Sequence, residues 1–504
     1  MLLHQPLIDG ARRTPDRVAF RWVNRDRVLT YGEAVEAMDR VAGALTALGV
    51  QRGDRVAVFA YNGMDYLLAM LGAWRIGAIS ALVNIAYAEQ LDYYIADCEP
   101  TVLIYTGDHH PTIDRHRAAL AGVRHLVCLD GPQDGSLPWS AVLEEASPVS
   151  RVAVDDRDVA HISYTSGTSG DPKGVGLAHE PTARATRCIA ERLRITSEDV
   201  SYGPRALSSS YQLVANLLPP LHLGAEVCVT SKWTPQAGWD DLHQLGATIL
   251  AANPTVLNDL LVESRRRGSA PPSLRLGVSG GGPVPPGLKQ AWTEELGITL
   301  AESYGQSELG GFFGLGGPEP LPANALSACG RPLPDKEVRI LDDSGQEVAP
   351  GTLGEIALRG GWMAGYWGRP EQTARATRGS WLHSGDVGFM DREGYLYLRG
   401  RLSERITIDG RHWYPRDVEE ALLRNPFVEQ AAVIGLPSGE AGDRPIAYVL
   451  VSDSAAPIGE LGRWVEAQLG AAPPGLEVEA VTEMPMTPTG KINKARLIAM
   501  AGAR

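Results

Sequence analysis

The chain has 504 residues, with 60 acidic against 47 basic side chains and a formal charge of −13. Its 44% hydrophobic and 21% charged residues match a water-soluble globular protein, and at roughly 100–200 residues per domain the length suggests about three packing units. The acidic balance argues against sequence-independent nucleic-acid binding, which needs concentrated Lys and Arg to release counterions.

Five scattered cysteines without a Cys-x-x-Cys pair argue against a disulfide framework or a zinc knuckle. A reducing, cytoplasmic location is expected, because the first residues lack the apolar core of a signal peptide. The longest uncharged run, 206–225, contains Gln212, Asn216, Pro219 and Pro220, so no membrane-spanning helix is expected.

Met38, Val41, Ala42, Leu45 and Leu48 recur at helical spacing, and Gly49 ends that helix. Residues 55–60 read as a buried strand, 64–75 as a helix and 79–83 as a second strand, which makes a βαβ unit. Similar alternation at 102–105 and 248–261 predicts parallel sheets covered by helices on both faces.

A strand over 159–163 then leads into Thr165, Ser166, Gly167, Thr168, Ser169 and Gly170, followed by Lys173. The glycines free backbone N–H groups to converge on an anion, the hydroxyls add donors, and Lys173 adds positive charge. The segment reads as a phosphate cradle. It is not a Walker A loop, because Gly174 follows Lys173 and 175–178 reads as a strand. A hairpin rich in turn formers is the alternative for this segment alone.

Further on, Gly280, Gly281 and Gly282 precede Glu302, Ser303, Tyr304, Gly305, Gln306, Ser307 and Glu308. Bare backbone suits a planar ring, Tyr304 can stack on it, and Glu308 suits a hard cation such as Mg²⁺. A plain loop and a solvated carboxylate are the alternatives for these pieces taken singly. Asp386 offers two acceptors suited to a ribose diol, and Arg401 is a fixed cation just before the pattern changes. Beyond about 400 the chain reads as a compact α+β tail: a strand at 405–408, a helix at 416–424, strands at 431–435 and 446–451, and a helix at 458–469. Lys491 follows Gly490 in a turn-rich tail and, read alone, is a surface lysine.

Taken in this order and spacing, the stretches resemble the adenylate-forming superfamily of acyl-CoA synthetases, nonribosomal-peptide adenylation domains and luciferases, over about 29–494. The resemblance implies an α/β fold: a large multi-layered N-terminal domain, 1–400, with mainly parallel sheets flanked by helices, and a small mobile α+β domain, 401–504, rotating about 401–403. It implies an acid:CoA ligase that uses ATP, Mg²⁺ and coenzyme A to make acyl-AMP and then acyl-CoA. Residues 165–170 with Lys173 would hold the β- and γ-phosphates. Gly280 to Gly282, with the 302–305 stretch and Tyr304 above all, would line the adenine site. Ser307 would contact the α-phosphate, Glu308 would bind Mg²⁺, and Asp386 and Arg401 would hold the ribose. Lys491 would reach the reacting carboxylate, and the loop around Gly410 would line the thiol's approach.

Several positions depart from the family pattern: Ser169 and Ser307 stand where Thr is usual, His383 and Ser384 where Arg and Thr are common, Ser403 at the hinge, and Glu180 after His179. The run from Arg411 to Pro415 is similar to one in fatty acyl-AMP ligases. An acyl carrier protein as acceptor is therefore an alternative partner, and a ligase performing one half-reaction or a non-catalytic binder are further alternatives. Small residues from Ala206 to Gln212, with Phe312 and Phe313 as a wall, predict room for a bulky apolar acid. Neither nucleic acid nor membrane is an expected partner, and a homodimer is compatible with the resemblance.

Overall fold

The computed structural model describes residues 1–149, 152–165, 172–439, 442–452, 457–487 and 492–502. Thr30 opens the first long helix, Tyr31–Ala47: its hydroxyl accepts the Glu33 N–H at 3.3 Å while the Glu33 carboxylate accepts the Thr30 N–H at 2.8 Å. This reciprocal box satisfies two N–H groups that a helix start leaves orphaned. Met38, Val41, Ala42 and Leu45 are buried on one face, as their spacing requires.

The chain divides into two compact units. The first comprises Met1–Thr165, Pro172–Glu337 and Arg359–Thr377. It holds two large sheets. One runs in the order Gly365–Tyr366, Gly174–Ala178, Val159–Tyr164, Ile79–Leu82, Arg55–Phe59, Val102–Tyr105, His125–Cys128, Leu137–Pro138. It is parallel from Val159–Tyr164 onward, with the first two strands antiparallel. The other places Leu276–Ser279 between the parallel strands Ile249–Ala252 and Thr299–Gln306, and Gly311–Leu315 returns antiparallel. The βαβ unit over 55–83 and the strands at 102–105 and 249–252 therefore stand where the apolar runs placed them, although the strand expected at 79–83 ends at Leu82.

The uncharged run 206–225 packs as a helical turn Ser210–Gln212, a π-helical stretch Leu213–Leu217 and a helix Leu218–Leu223. Pro219 and Pro220 lack the N–H groups that would continue regular helical bonding. Buried amides anchor it: Gln212 Nε2 donates to Ala251 O at 3.0 Å, and Asn216 Nδ2 to Cys228 O at 3.3 Å. Among the described residues no helix is long and apolar enough to cross a membrane.

The second unit comprises Val338–Leu358 and the described residues from Arg378 onward. Strands Gly354–Arg359, Trp381–Met390 and Leu396–Arg401 pair antiparallel. A three-stranded sheet of Val428–Pro437, Asp443–Val451 and Glu477–Ala480 is buried on both faces. Ala431 and Val433 pack with Val418, Leu422 and Val465, whereas Ala432 and Ile434 pack with Tyr448, Met484 and Leu497. That alternation is the period of two of an extended strand.

Strands Ile406–Ile408 and Arg411–Trp413 form a hairpin in which Ile408 faces Arg411. Its two turn residues, Asp409 at φ 48° and Gly410 at φ 72°, are both left-handed, the conformation that matches the twist of a two-residue hairpin. Because a branched side chain in this region costs about 1–2 kcal/mol, Gly410→Val should lower stability by about that amount and Gly410→Asn by less. Urea unfolding of the two variants measures the difference, and equal midpoints would contradict the assignment.

His4, His161 and His179 are buried, and burial lowers their pKa values to about 3, 4 and 4. Unfolded imidazoles titrate near 6.5, so between about pH 6.5 and 4 the unfolded chain binds protons that the folded chain refuses. Stability should therefore fall as pH falls through that window. His161→Gln, which keeps a polar partner for Ser80, should flatten part of the slope in urea titrations, and an unaltered slope would contradict this.

Candidate active site

Strand Val159–Tyr164 leaves the parallel run and returns as Gly174–Ala178, and the neck of the return is closed by two bonds. The Thr165 N–H donates to Lys173 O at 3.0 Å, and the Lys173 N–H donates to Thr165 Oγ1 at 3.3 Å. Ser166, Gly167, Thr168, Ser169 and Gly170 lie outside the described residues, as does Lys491. Glu180 is met one helical turn later by Arg184, 3.5 Å away.

The glycine run follows the strand Leu276–Ser279 at its C-terminal end, where open α/β sheets bind ligands. A Cβ on Gly280 would lie 2.4 Å from both the Tyr211 ring and Ser303 Oγ, so this position admits only glycine without displacement. Tyr211 is held there by donating to Val278 O at 2.6 Å and Ala252 O at 3.2 Å. Burial raises its phenol pKa and keeps it a donor. Ser303 Oγ donates to Ser279 O at 2.8 Å, and Tyr304 is buried opposite Gly314. Gly305 packs against Gly311 O, 2.8 Å from where a Cβ would stand.

The Glu302 side chain is buried. Its carboxylate lies 2.6 Å from Lys289 Nζ with both side chains under 5% exposed, and Lys289 also donates to Leu326 O and Ala328 O. A buried pair persists only when its remaining donors are satisfied in this way.

Ser307 and Glu308 form a short 3₁₀ turn after Thr299–Gln306. Ser307 Oγ lies 3.0 Å from Ser210 Oγ. Glu308 O accepts the Met363 N–H at 2.7 Å, and its Oε1 accepts the Tyr366 hydroxyl at 2.8 Å. Lys173 Nζ sits 4.8 Å from the centroid of the same Tyr366 ring. The first unit thus gathers Lys173 and Glu308 around one tyrosine.

In the second unit Asp386 and Arg401 are cross-strand partners, with Nε 2.7 Å from Oδ1. Asp386 is 4% exposed, and its N–H donates to Ser384 Oγ at 3.0 Å. Ser384 in turn donates to Ile356 O at 2.6 Å. His383 lies 2.8 Å from Glu355. The two departures at 383 and 384 therefore carry hydrogen bonds that set the Asp386 strand. Lys494 lies 2.9 Å from both Glu404 and Glu419. Burial alone would lower its pKa, but the two carboxylates outweigh it and raise it.

Phe312 and Phe313 lie where their strand shifts register against Thr299–Gln306: Tyr304 faces Gly314 but Gly305 faces Phe312. Phe312 packs on Tyr211 with ring centroids 5.7 Å apart, and Phe313 is buried elsewhere. Sequence reasoning gave no role to Tyr366, Tyr211 or Lys289.

The chain is 32% identical to a feruloyl-CoA synthase of Amycolatopsis over 97% of its own length and 96% of the relative's. It is 29% identical to a 3-hydroxybenzoate–CoA/4-hydroxybenzoate–CoA ligase of Thauera aromatica over 94% and 92%. Its structure matches that of an anthranilate CoA ligase in complex with anthranoyl-AMP at a TM-score of 0.91, with 25% identity, covering 100% of this chain and 98% of the other. Residues 8–367 match the AMP-binding enzyme family and residues 417–491 its C-terminal domain, so the chain belongs to the AMP-binding enzyme family.

Proposed function

We propose that the protein is an AMP-forming acid:CoA ligase that activates a bulky, apolar carboxylic acid. The observation that carries this reading is the grouping of Lys173, Ser307, Glu308 and the Gly280 to Gly282 backbone where the strands of two sheets end. Relatives named as CoA ligases for aryl acids support it.

In the first step a carboxylate oxygen attacks the α-phosphorus of ATP, a P–O bond forms, and pyrophosphate leaves. Two anions must meet, so the protein has to place positive charge and donors where negative charge grows. Lys173 and the 165–170 loop hold the β- and γ-phosphates, Ser307 the α-phosphate, Gly280 to Gly282 and Tyr304 the adenine, and Asp386 with Arg401 the ribose. Lys491 neutralises the reacting carboxylate and α-phosphate. Glu308 fits Mg²⁺: it is a hard oxygen donor whose carboxylate accepts the Tyr366 hydroxyl and forms no ion pair among the described residues, and Mg²⁺ sites commonly combine one or two carboxylates with substrate phosphates. When held there, Mg²⁺ would supply charge neutralisation for the nucleotide's phosphates. In the second step the CoA thiol attacks the acyl carbon, a C–S bond forms and AMP leaves. Rotation of residues 401–504 about 401–403 exchanges Lys491 for the Gly410 loop between the steps. A cytoplasmic location and a homodimer belong to the same proposal.

Lys491→Ala should slow adenylation roughly 10²–10³-fold, by analogy with loss of an oxyanion donor, and should affect thioester formation from preformed acyl-AMP much less. Equal loss in both half-reactions would overturn the assigned role. A panel of acetate, octanoate, benzoate and a polycyclic acid, followed by mass spectrometry with and without CoA, tests the substrate class. A ring-bearing acid should be best and should appear as acyl-CoA. Acetate as the best substrate overturns the pocket reading, and acyl-AMP that CoA never consumes overturns CoA as acceptor.

A further inference from the structure

Lys173 and Glu308 carry opposite charges, yet among the described residues neither forms an ion pair. Tyr366 stands between them. Its ring faces the Lys173 ammonium at 4.8 Å, and its hydroxyl donates to Glu308 Oε1 at 2.8 Å. The two contacts reinforce each other: donation to a carboxylate enriches the ring in electrons, and an enriched ring attracts a cation more strongly.

The tyrosine is itself held rigidly. Strand Gly365–Tyr366 pairs with Gly174–Ala178, so that Tyr366 faces Val175, and the Tyr366 N–H donates to Thr373 Oγ1 at 2.9 Å. Three residues on, Arg369 lies 2.6 Å from Asp97 Oδ1 and 2.8 Å from the Tyr93 hydroxyl, which donates to Pro172 O beside Lys173. The segment that carries Tyr366 is thus fastened at both ends to the exit of the loop over 165–173.

We propose that Tyr366 is the positioning residue of the phosphate site: it keeps Lys173 and Glu308 from neutralising each other and presents both, preset, to the metal-bound triphosphate. This rests on the nucleotide-site reading above. Without the hydroxyl, Glu308 is free to turn toward Lys173, and an incoming nucleotide has to break that pair first.

The test uses full-length protein with Tyr366→Phe, which keeps the ring, Tyr366→Leu, which removes both contacts, and Glu308→Gln as a control on the underlying reading. Calorimetric binding of MgATP without acid, the Mg²⁺ concentration giving half-maximal ATP–pyrophosphate exchange, and acyl-AMP thioesterification are measured. Tyr366→Phe should weaken MgATP binding and raise the Mg²⁺ requirement by about tenfold, within the range for a hydrogen bond to a charged group. Tyr366→Leu should lose more, and adenylation should suffer at least tenfold more than thioesterification in both. If Glu308→Gln loses MgATP binding while Tyr366→Phe matches the parent in binding and Mg²⁺ requirement, the positioning role is wrong and the nucleotide-site reading stands. If Glu308→Gln binds and adenylates normally, the nucleotide-site reading fails and takes this proposal with it. Should Tyr366→Leu fold poorly, Tyr366→Phe decides the matter.

Discussion

The reversal of the chain between Tyr164 and Gly174 is the constraint on which the first unit's site depends. A parallel strand has to stop, turn and come back as its own antiparallel neighbour, and the reciprocal bonds between Thr165 and Lys173 close that turn at its neck. Once the return strand is in place it offers a free edge, and Gly365–Tyr366 fills it. Edge filling satisfies backbone groups that would otherwise invite foreign strands. It also delivers a tyrosine, some two hundred residues away in sequence, to the lysine at the turn and the carboxylate at Glu308.

Much of this was legible beforehand because it rests on local rules. Helical spacing from Met38 to Leu48, the apolar runs at 55–60 and 102–105, and the unbroken apolar stretch at 431–435 each encode burial directly, and each formed the predicted element. At Gly280 the close approach is made by the Tyr211 ring, which the glycine run alone did not identify. Pairings fixed only by the fold stayed hidden. Glu302 is met by Lys289, thirteen positions away in sequence, a pairing that its neighbours in the chain do not announce. Phe312 and Phe313 sit at a register shift in their strand, which the residue types do not announce. Tyr366 shows no distinguishing composition, since its role comes from what the edge strand lies beside.

Charge is handled differently in the two units. Within the second, Asp386 and Arg401 already face each other across a ladder, so each orients the other before any ligand arrives. Lys494 likewise has two carboxylates to itself. Within the first unit Glu302 and Lys289 pair in the interior, while Lys173 and Glu308 each meet Tyr366, one at its ring and one at its hydroxyl. Paired charges serve as scaffold.

The two-residue turn at Asp409 and Gly410 also bears on how this chain can vary in length. Ile408 faces Arg411 directly, so the hairpin has no slack. One inserted or deleted residue would shift the register, and a shift of one sends every side chain from Arg411 to Trp413 to the other face. Point substitutions there alter single groups, but a change of length re-addresses the whole strand. Gene variants in this stretch should therefore differ by replacement and not by gaps, whereas the loops elsewhere remain open to growth.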